Sequence, residues 1–475
     1  NYDASDINFL YFSPNDDYLC LDNCIQVIEP YALKIQDLTV ENNNFYKGES
    51  NLWFYEGSLF QIKQTQVIIE NLKILDCSFS SYNFINLDQK PSTFMLFSSE
   101  IKNITLKRSQ LIMSNYLNKY SYFSSEERQV VNARTPLYRY SLISDCSFSD
   151  IKLFSSDLLG LDNGFFILRN NMFSGITLSD ASNLVIVEFM PLKFHSTNAL
   201  EYLRDSNIEK LSMSSTENKL TGELFSEDQT MVYFAKMNGN KFGDVTLLNS
   251  RLFTLSGFGF NQSLIQFEDT TMIGITSDST DNNPLITVDD FGAMIIRQGK
   301  FYGVKSSGAG FSLPSAKSSM SLVIQDNFKE GIQVATFLDY KGKNLTNMEF
   351  INNRFLDSTI ETSLISISSQ IASGNWSINE NKIKSLNFIF DETKIQGERF
   401  GLIHLLAVEN TGDEQKNHEL SLENNSFEAV AIWMKNNKPT PVSTSLLYIN
   451  TPQALKAKNN LMLQVNNLGE GSLVY

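Results

Sequence analysis

Long apolar runs are missing from this chain: no stretch approaches 18 consecutive apolar residues, so no segment reads as a transmembrane helix. Charge is scarce and lopsided, 19% of residues with a net −15, and no run of Lys and Arg interrupts it. A nucleic-acid backbone or an anionic membrane finds nothing there to hold. Four cysteines in 475 residues exclude a disulfide-built scaffold. The three histidines, His195, His404 and His418, are too scattered to supply a paired imidazole. Gly-x-Ser-x-Gly, a P-loop, His-Glu-x-x-His and a helix-opening Gly-x-Gly-x-x-Gly are all absent, so no cofactor is indicated. Apolar residues at i, i+3, i+4 and i+7 over ten or more positions are not found either, which argues against helical repeats.

What is present is apolar and repetitive. With 42% hydrophobic and 12% aromatic residues the chain has material for a large core. A short phrase recurs in it: an apolar strand, an Asn or small polar residue, one variable residue, then an apolar anchor, most often Phe. It reads Asn43-Asn44-Phe45, Cys77-Ser78-Phe79, Cys146-Ser147-Phe148, Asn171-Met172-Phe173, Asn218-Lys219-Leu220 and Asn240-Lys241-Phe242. Further copies are Gly299-Lys300-Phe301, Asp326-Asn327-Phe328, Asn353-Arg354-Phe355, Asn381-Lys382-Ile383, Asn425-Ser426-Phe427 and Asn459-Asn460-Leu461-Met462, with weaker ones at Ser109-Gln110-Leu111 and Thr270-Thr271-Met272. Successive anchors from Leu220 to Ile383 are Leu220, Phe242, Met272, Phe301, Phe328, Phe355 and Ile383, a period of roughly 27 to 30 residues over most of that span.

A period in this range marks a solenoid, propeller or array. Runs of three to six apolar or alternating residues, such as Leu364-Ile365-Ser366-Ile367, broken by Asn, Gly, Ser and Asp, are short strands between regular turns. One coil of a parallel β-helix needs about this much chain, and stacking coils roughly 4.8 Å apart sets every residue on its equivalent in the next coil. Phe then meets Phe inside, and a corner Asn tolerates a left-handed backbone while its amide bonds to the next Asn. About fourteen anchors imply a rod on the order of 65 to 70 Å long. A β-propeller is the alternative, but its blades are longer and carry a Trp-Asp or paired-Gly signature that is missing here. The nine Phe anchors, Phe45, Phe79, Phe148, Phe173, Phe242, Phe301, Phe328, Phe355 and Phe427, are expected to form one interior stack.

The corners in Phe350 to Ser368 and Leu422 to Trp433 resemble those of the right-handed parallel β-helix superfamily that includes pectin and pectate lyases. More narrowly, the chain resembles the Asn- and Phe-rich β-helix ectodomains of ciliate surface proteins. That resemblance covers roughly residues 40 to 475 and implies a fold more than an activity. The expected architecture is all-β: a right-handed parallel β-helix solenoid over residues 39–475, with an N-terminal cap at residues 1–38 that protects the first coil. Insertions are expected at 115–140 and 188–215, and an acidic solvated loop from Glu409 to Glu419. The start at Asn1 and the apolar close on Leu473-Val474-Tyr475 read as a mature or partial sequence, with continuation or docking past Tyr475 expected.

Members of the superfamily that cleave pectin imply specific chemistry. The hydrolytic type sets carboxylates for general acid and base work on consecutive coils beside a Gly-His-Gly. Glu268-Asp269 and Asp289-Asp290 are separated by close to one coil, and are candidates to stack as four carboxylates or to hold calcium; no Gly-His-Gly follows. The lyase type resembles Arg-x-Pro-x-x-Arg, which Arg134-Thr135-Pro136-Leu137-Tyr138-Arg139 matches, without the Trp-x-Asp-His element that accompanies it there. Solvated turn acids remain the ordinary reading of the first set, and chance of the second. Cys20 and Cys24 enclose a polar turn that a disulfide would close, whereas Cys77 and Cys146 read as small core residues. His404, in an apolar strand, reads as a core histidine; Trp53, Trp376 and Trp433 read as core or rim. Asn103, Asn261, Asn344, Asn375 and Asn424 are sequons, no more numerous than chance supplies. The expected function is a non-enzymatic extracellular or cell-surface rod, structural or adhesive, whose partners are other subunits, further modules or glycans. A carbohydrate-active enzyme of the pectin-lyase fold is the alternative.

Overall fold

The computed structural model describes residues 10–12, 32–46, 57–63, 66–88, 94–114, 140–163, 165–189, 192–193, 231–372, 374–390, 399–409, 419–434, 443–451 and 454–467. Every described element is a strand, and all pair in parallel except Leu192–Lys193, which runs antiparallel to Met231–Asn238. Strands bond to their equivalents one coil earlier and one coil later; Ser147–Phe154, for example, lies between Glu100–Lys107 and Met172–Ser179. The chain is therefore a parallel β-helix. Within the segment expected as a cap, Leu10–Phe12 and Ala32–Gln36 pair in parallel with Gly57–Lys63 and Gln66–Glu70. Residues 1–9, 13–31, 115–139 and 194–230, which hold Cys20, Cys24, Arg134, Arg139 and most of both expected insertions, lie outside the described residues.

Alternation decides which side chains turn inward. In Lys241–Leu248, Phe242, Val245 and Leu247 are buried while Lys241, Thr246 and Leu248 are exposed. Register then carries one interior position from coil to coil: Val40, Ile74, Ile101, Phe148, Phe173, Phe242, Met272, Phe301, Lys329, Phe355, Ile383, Phe427 and Met462 form a single column. The rings of Phe148, Phe173 and Phe242 lie face to face at 4.7 and 4.8 Å. That spacing is the strand separation itself, so the offset-stacked contact costs no backbone adjustment.

The expectation of one nine-membered Phe stack is corrected in two places. Phe45 and Phe79 stack on each other at 4.9 Å in a second interior column, which continues through Leu106, Leu153, Leu178 and Leu247. Phe328 turns outward against Tyr302 at 5.6 Å, and its neighbour Lys329 takes the place in the column. The second is a one-residue slip within a corner, the ladder residue there being Asn327 and not Asp326; the first is a matter of corner phase. Left-handed residues come in pairs five positions apart along the coil: Asn71 and Asp76, Asp145 and Asp150, Asp269 and Gly274, Asn352 and Asp357, Asn424 and Ala429. The string Asp-Cys-Ser-Phe-Ser follows either corner, so Cys77 and Cys146, with identical neighbours, occupy different sides of the coil.

Corner chemistry is divided between adjacent residues rather than combined in one Asn. The first is left-handed and mostly exposed: φ is 58° at Asp145, 53° at Asn170, 51° at Asn352 and 56° at Asn424, and Asn and Asp carry this conformation at low cost. The second is buried and outside the left-handed region, and it builds an amide ladder. Oδ1 of Asn381 accepts from the Asn353 backbone N–H at 2.9 Å and its Nδ2 at 3.1 Å, while Asn353 Nδ2 also donates to Ile324 O at 2.9 Å. The same bonds join Asn171 to Asn240, Asn381 to Asn425 and Asn425 to Asn460. At Gly299 the ladder passes without a side chain, because a Cβ there would meet Asn327 Oδ1 and the Phe301 ring, both at 2.7 Å.

Truncating the face-to-face column should cost far more than truncating its outward neighbour. Phe173→Ala is expected to lose about 3 to 5 kcal/mol of unfolding free energy in a denaturant titration, and Phe328→Ala, half-buried outside the coil, about 1 kcal/mol or less. Equal losses would contradict the register.

Candidate functional site

The left-handed corner that starts each short strand also opens outward. Between Asp37 and Asn170 it borders an open cavity of about 700 Å³ running along the rod, lined by Asp37, Asn71, Ser98, Asp145 and Asn170 at the corner and by Thr39, Lys73, Glu100 and Ser147 beside it. Stacking makes this a repeated surface, the corner position being drawn from five successive coils. Corner groups are already joined: Asn71 Nδ2 donates to Asp37 Oδ1 at 3.0 Å, and Asn170 Nδ2 to Asp145 Oδ1 at 3.2 Å. Three carboxylates and one ammonium line the cavity, with no aromatic platform among its described residues.

The two acidic pairs are not brought together. Glu268 is followed one coil later by Arg297, and Asp289 stands on Ser256. The step from Glu268 to Asp289 falls short of a full coil, so the pairs lie at different points of the circumference and do not stack as four carboxylates. Glu268 faces outward, 3.2 Å from Lys236 Nζ, and accepts from Gln266 Nε2 at 3.3 Å. Asp269 is an exposed left-handed corner residue, 3.6 Å from Lys300. Asp290 is buried and also left-handed, with φ 59°. Among the described residues no three His, Cys, Asp or Glu side chains converge on a point that would hold a metal ion.

Lys236 and Gln266 belong to an outward row that is nonetheless buried, beside a small apolar cluster of Leu264, Ala293, Ile295 and Val323. Alternate residues Ile265, Phe267, Met294 and Ile296 point into the main core. The Lys236–Glu268 pair thus sits where water is thin, with its charges matched.

Lys329 is the residue that sequence reasoning missed. It is 0% exposed, and its Nζ lies 4.2 Å from the Phe355 ring centroid and 4.7 Å from that of Phe337. It donates to Asn353 Oδ1 at 3.2 Å. Burial pushes its pKa well below the ordinary lysine value. Ring faces return about 2 kcal/mol to a desolvated ammonium, against an effective penalty of several kcal/mol for burying the ion without a counter-charge. The neutral amine wins. A signal was present in the sequence: in the repeat the inward anchor is two residues past the ladder Asn, and two past Asn327 is Lys329, not Phe328.

Other candidates fall into ordinary places. Cys77 and Cys146 are buried free thiols, as expected of core residues, and burial pushes Cys146 up to about 11. Trp376 is wholly buried, its Nε1 donating to Leu345 O at 3.2 Å. His404 departs from its expected core position: it is half-buried on the outer face, stacked on Tyr448 at 4.7 Å, and burial lowers its pKa against an opposing pull from Asp339. Of the sequons, Asn103, Asn375 and Asn424 are exposed, Asn344 is half-buried, and the Asn261 side chain lies outside the described residues. Among the described residues no helix is long and apolar enough to cross a membrane.

No family model matches the chain, and no curated protein matches it. Among solved structures it is similar to a double mutant of the periplasmic alginate epimerase AlgG, 12% identical, covering 92% of this chain and 86% of that one, with a TM-score of 0.22. It is also similar to the receptor-binding protein of bacteriophage Det7, a podoviral tailspike in a myovirus, 11% identical, covering 86% and 74%, with a TM-score of 0.16. Likeness at this level carries no argument about activity; the fold rests on this chain's own strand register.

The thiols should be inert in the folded state. At neutral pH a thiol with a pKa near 11 is about one part in ten thousand thiolate, so iodoacetamide should leave Cys146 unlabelled until denaturant is added. Rapid labelling of the native protein would contradict its burial. The ladder has a comparable test: Asn353→Leu strands the Asn327 N–H and Ile324 O inside the core and should cost about 2 to 5 kcal/mol in unfolding free energy.

Proposed function

We propose that this chain is a rigid extracellular or cell-surface rod, acting as a spacer, an adhesion module or a building block of a surface assembly, as its resemblance to ciliate surface ectodomains implies. The observation that carries this reading is where the polar side chains go. Amide with amide, amide with carboxylate and Lys236 with Glu268 are bonded across successive coils, an arrangement that stiffens a stack and leaves no acid and base facing each other across the two acidic pairs. Rows of repeated geometry suit a structure that must resist bending. On the last described coil Leu455, Leu461 and Leu463 are about half exposed, an apolar surface that another module or subunit would cover. Residues 1–38 belong to this reading as a cap that takes the form of a covering coil, its strands Leu10–Phe12 and Ala32–Gln36 pairing in parallel with the next one, the segments near 115–140 and 188–215 as places of partner recognition, and the exposed sequons as glycan carriers.

A second reading is favoured by the cavity beside Asp37, Glu100 and Asp145: a carbohydrate-active enzyme with acid and base on neighbouring coils. One experiment separates the two. The full chain is incubated with a panel of neutral and acidic polysaccharides, and reducing ends and unsaturated-product absorbance are followed. The rod reading expects no release from any of them. Turnover that disappears in Glu100→Gln or Asp145→Asn would establish the enzyme instead.

A further inference from the structure

Along the first interior column every described position but one is Phe, Ile, Met or Val. The exception is Lys329, enclosed by Phe301 one coil before, Phe355 one coil after and Phe337 across the interior. Among the described residues no counter-charge faces it. On the strands packed against it, the titratable residues Lys300, Tyr302, Glu330, Arg354 and Glu349 belong to outward positions, because each adjoins an inward Phe or Lys329 itself; Tyr340, three residues past Phe337, is inward and buried, and burial raises its pKa, so it brings no charge to Lys329. The polar group in contact is Asn353 Oδ1, which also accepts the Asn327 N–H at 3.3 Å and its Nδ2 at 3.0 Å.

We propose that Lys329 is an acid-sensitive seam in the rod: the coils from Phe301 to Phe355 stay closed around a neutral amine and loosen when the amine takes up a proton. The device follows from position alone. A proton on Nζ has nowhere to go within the column, because three donors already crowd Asn353 Oδ1 and no described carboxylate faces inward there, so the ammonium reaches water only by parting one coil from the next. At its other described positions the column is apolar and has no such response. The inference stands apart from the rod reading and survives if the chain proves to be an enzyme.

The direction in pH is set by linkage. Opened, the lysine has its ordinary affinity for a proton; closed, it has less, so the open state binds more protons. Closure is strongest above the ordinary lysine range, weakens by about tenfold per pH unit on the way down to the lowered value, and is flat below it.

Amide hydrogen exchange on the full chain, corrected for intrinsic rates, tests this between about pH 9 and about pH 6. Protection in Gln333–Ile351 and at Phe355 is expected to fall by up to tenfold per unit relative to Met172–Ser179, whose column neighbours are Phe148 and Phe242. In Lys329→Met the two regions should keep a constant ratio. A constant ratio in the unmodified chain overturns the proposal without needing any variant, and so does a Lys329→Met protein that retains the full pH dependence. Buried Trp376, one coil from Met348, supplies a second readout by fluorescence, expected to change over the same pH range as the exchange.

Discussion

Everything in this molecule depends on one constraint: a residue in a parallel coil lies on its own equivalent in the coils before and after it, about 4.8 Å away. A side chain is therefore chosen by its copies as much as by its surroundings. Ring faces fit because 4.7 Å is both a stacking distance and a strand separation. Carboxamides fit because each has a donor and an acceptor and passes the bond along, from Asn353 through Asn381 and Asn425 to Asn460. A charge fits badly, since a copy above or below would repel it.

The corners show how the same constraint is met with two different residues. Left-handed backbone and buried amide are separate demands, and the sequence assigns them to neighbours: Asn170 and Asn171, Asn352 and Asn353, Asn424 and Asn425. At Asn352 and Asn353 the outer member hydrogen-bonds along the surface and the inner one within the core. Corner amides are thus bound to one another before any ligand could claim them. Acid pairs that look like a catalytic set in one dimension are, in the coil, a matched ion pair at Glu268, an exposed corner at Asp269 and a buried corner at Asp290. The open polar surface lies elsewhere, along Asp37 to Asn170.

Lys329 is the exception that measures the rule. Copied between Phe301 and Phe355 by register, it inherits a place built for a ring and satisfies it with a stem, three ring contacts and one amide oxygen. Where the column would carry an uncompensated charge, the amine gives up its proton instead.

Much of this was determined by the sequence alone. Corners recurring with a period of roughly 27 to 30 residues, alternating short strands and absent helical periodicity specify stacked parallel coils, because that packing buries one face of every strand. They also identify Phe148, Phe173, Phe242, Phe301, Phe355 and Phe427 as one interior row. What the tertiary structure decided is phase. Two corners five positions apart follow the same local grammar, so a string such as Asp-Cys-Ser-Phe-Ser does not state which side of the coil it turns, and Phe79 and Phe148 part company on that account. Coil length varies too: the step that carries Glu268 to Arg297 is shorter than the one that carries Ser256 to Asp289, and both exceed the step from Glu268 to Asp289, so those carboxylates never meet. Inward and outward differ by a single residue in a strand: the hydrogen-bonded register with the coils on either side identifies Asn327, not Asp326, as the ladder residue, and so places Lys329 inward and Phe328 outward.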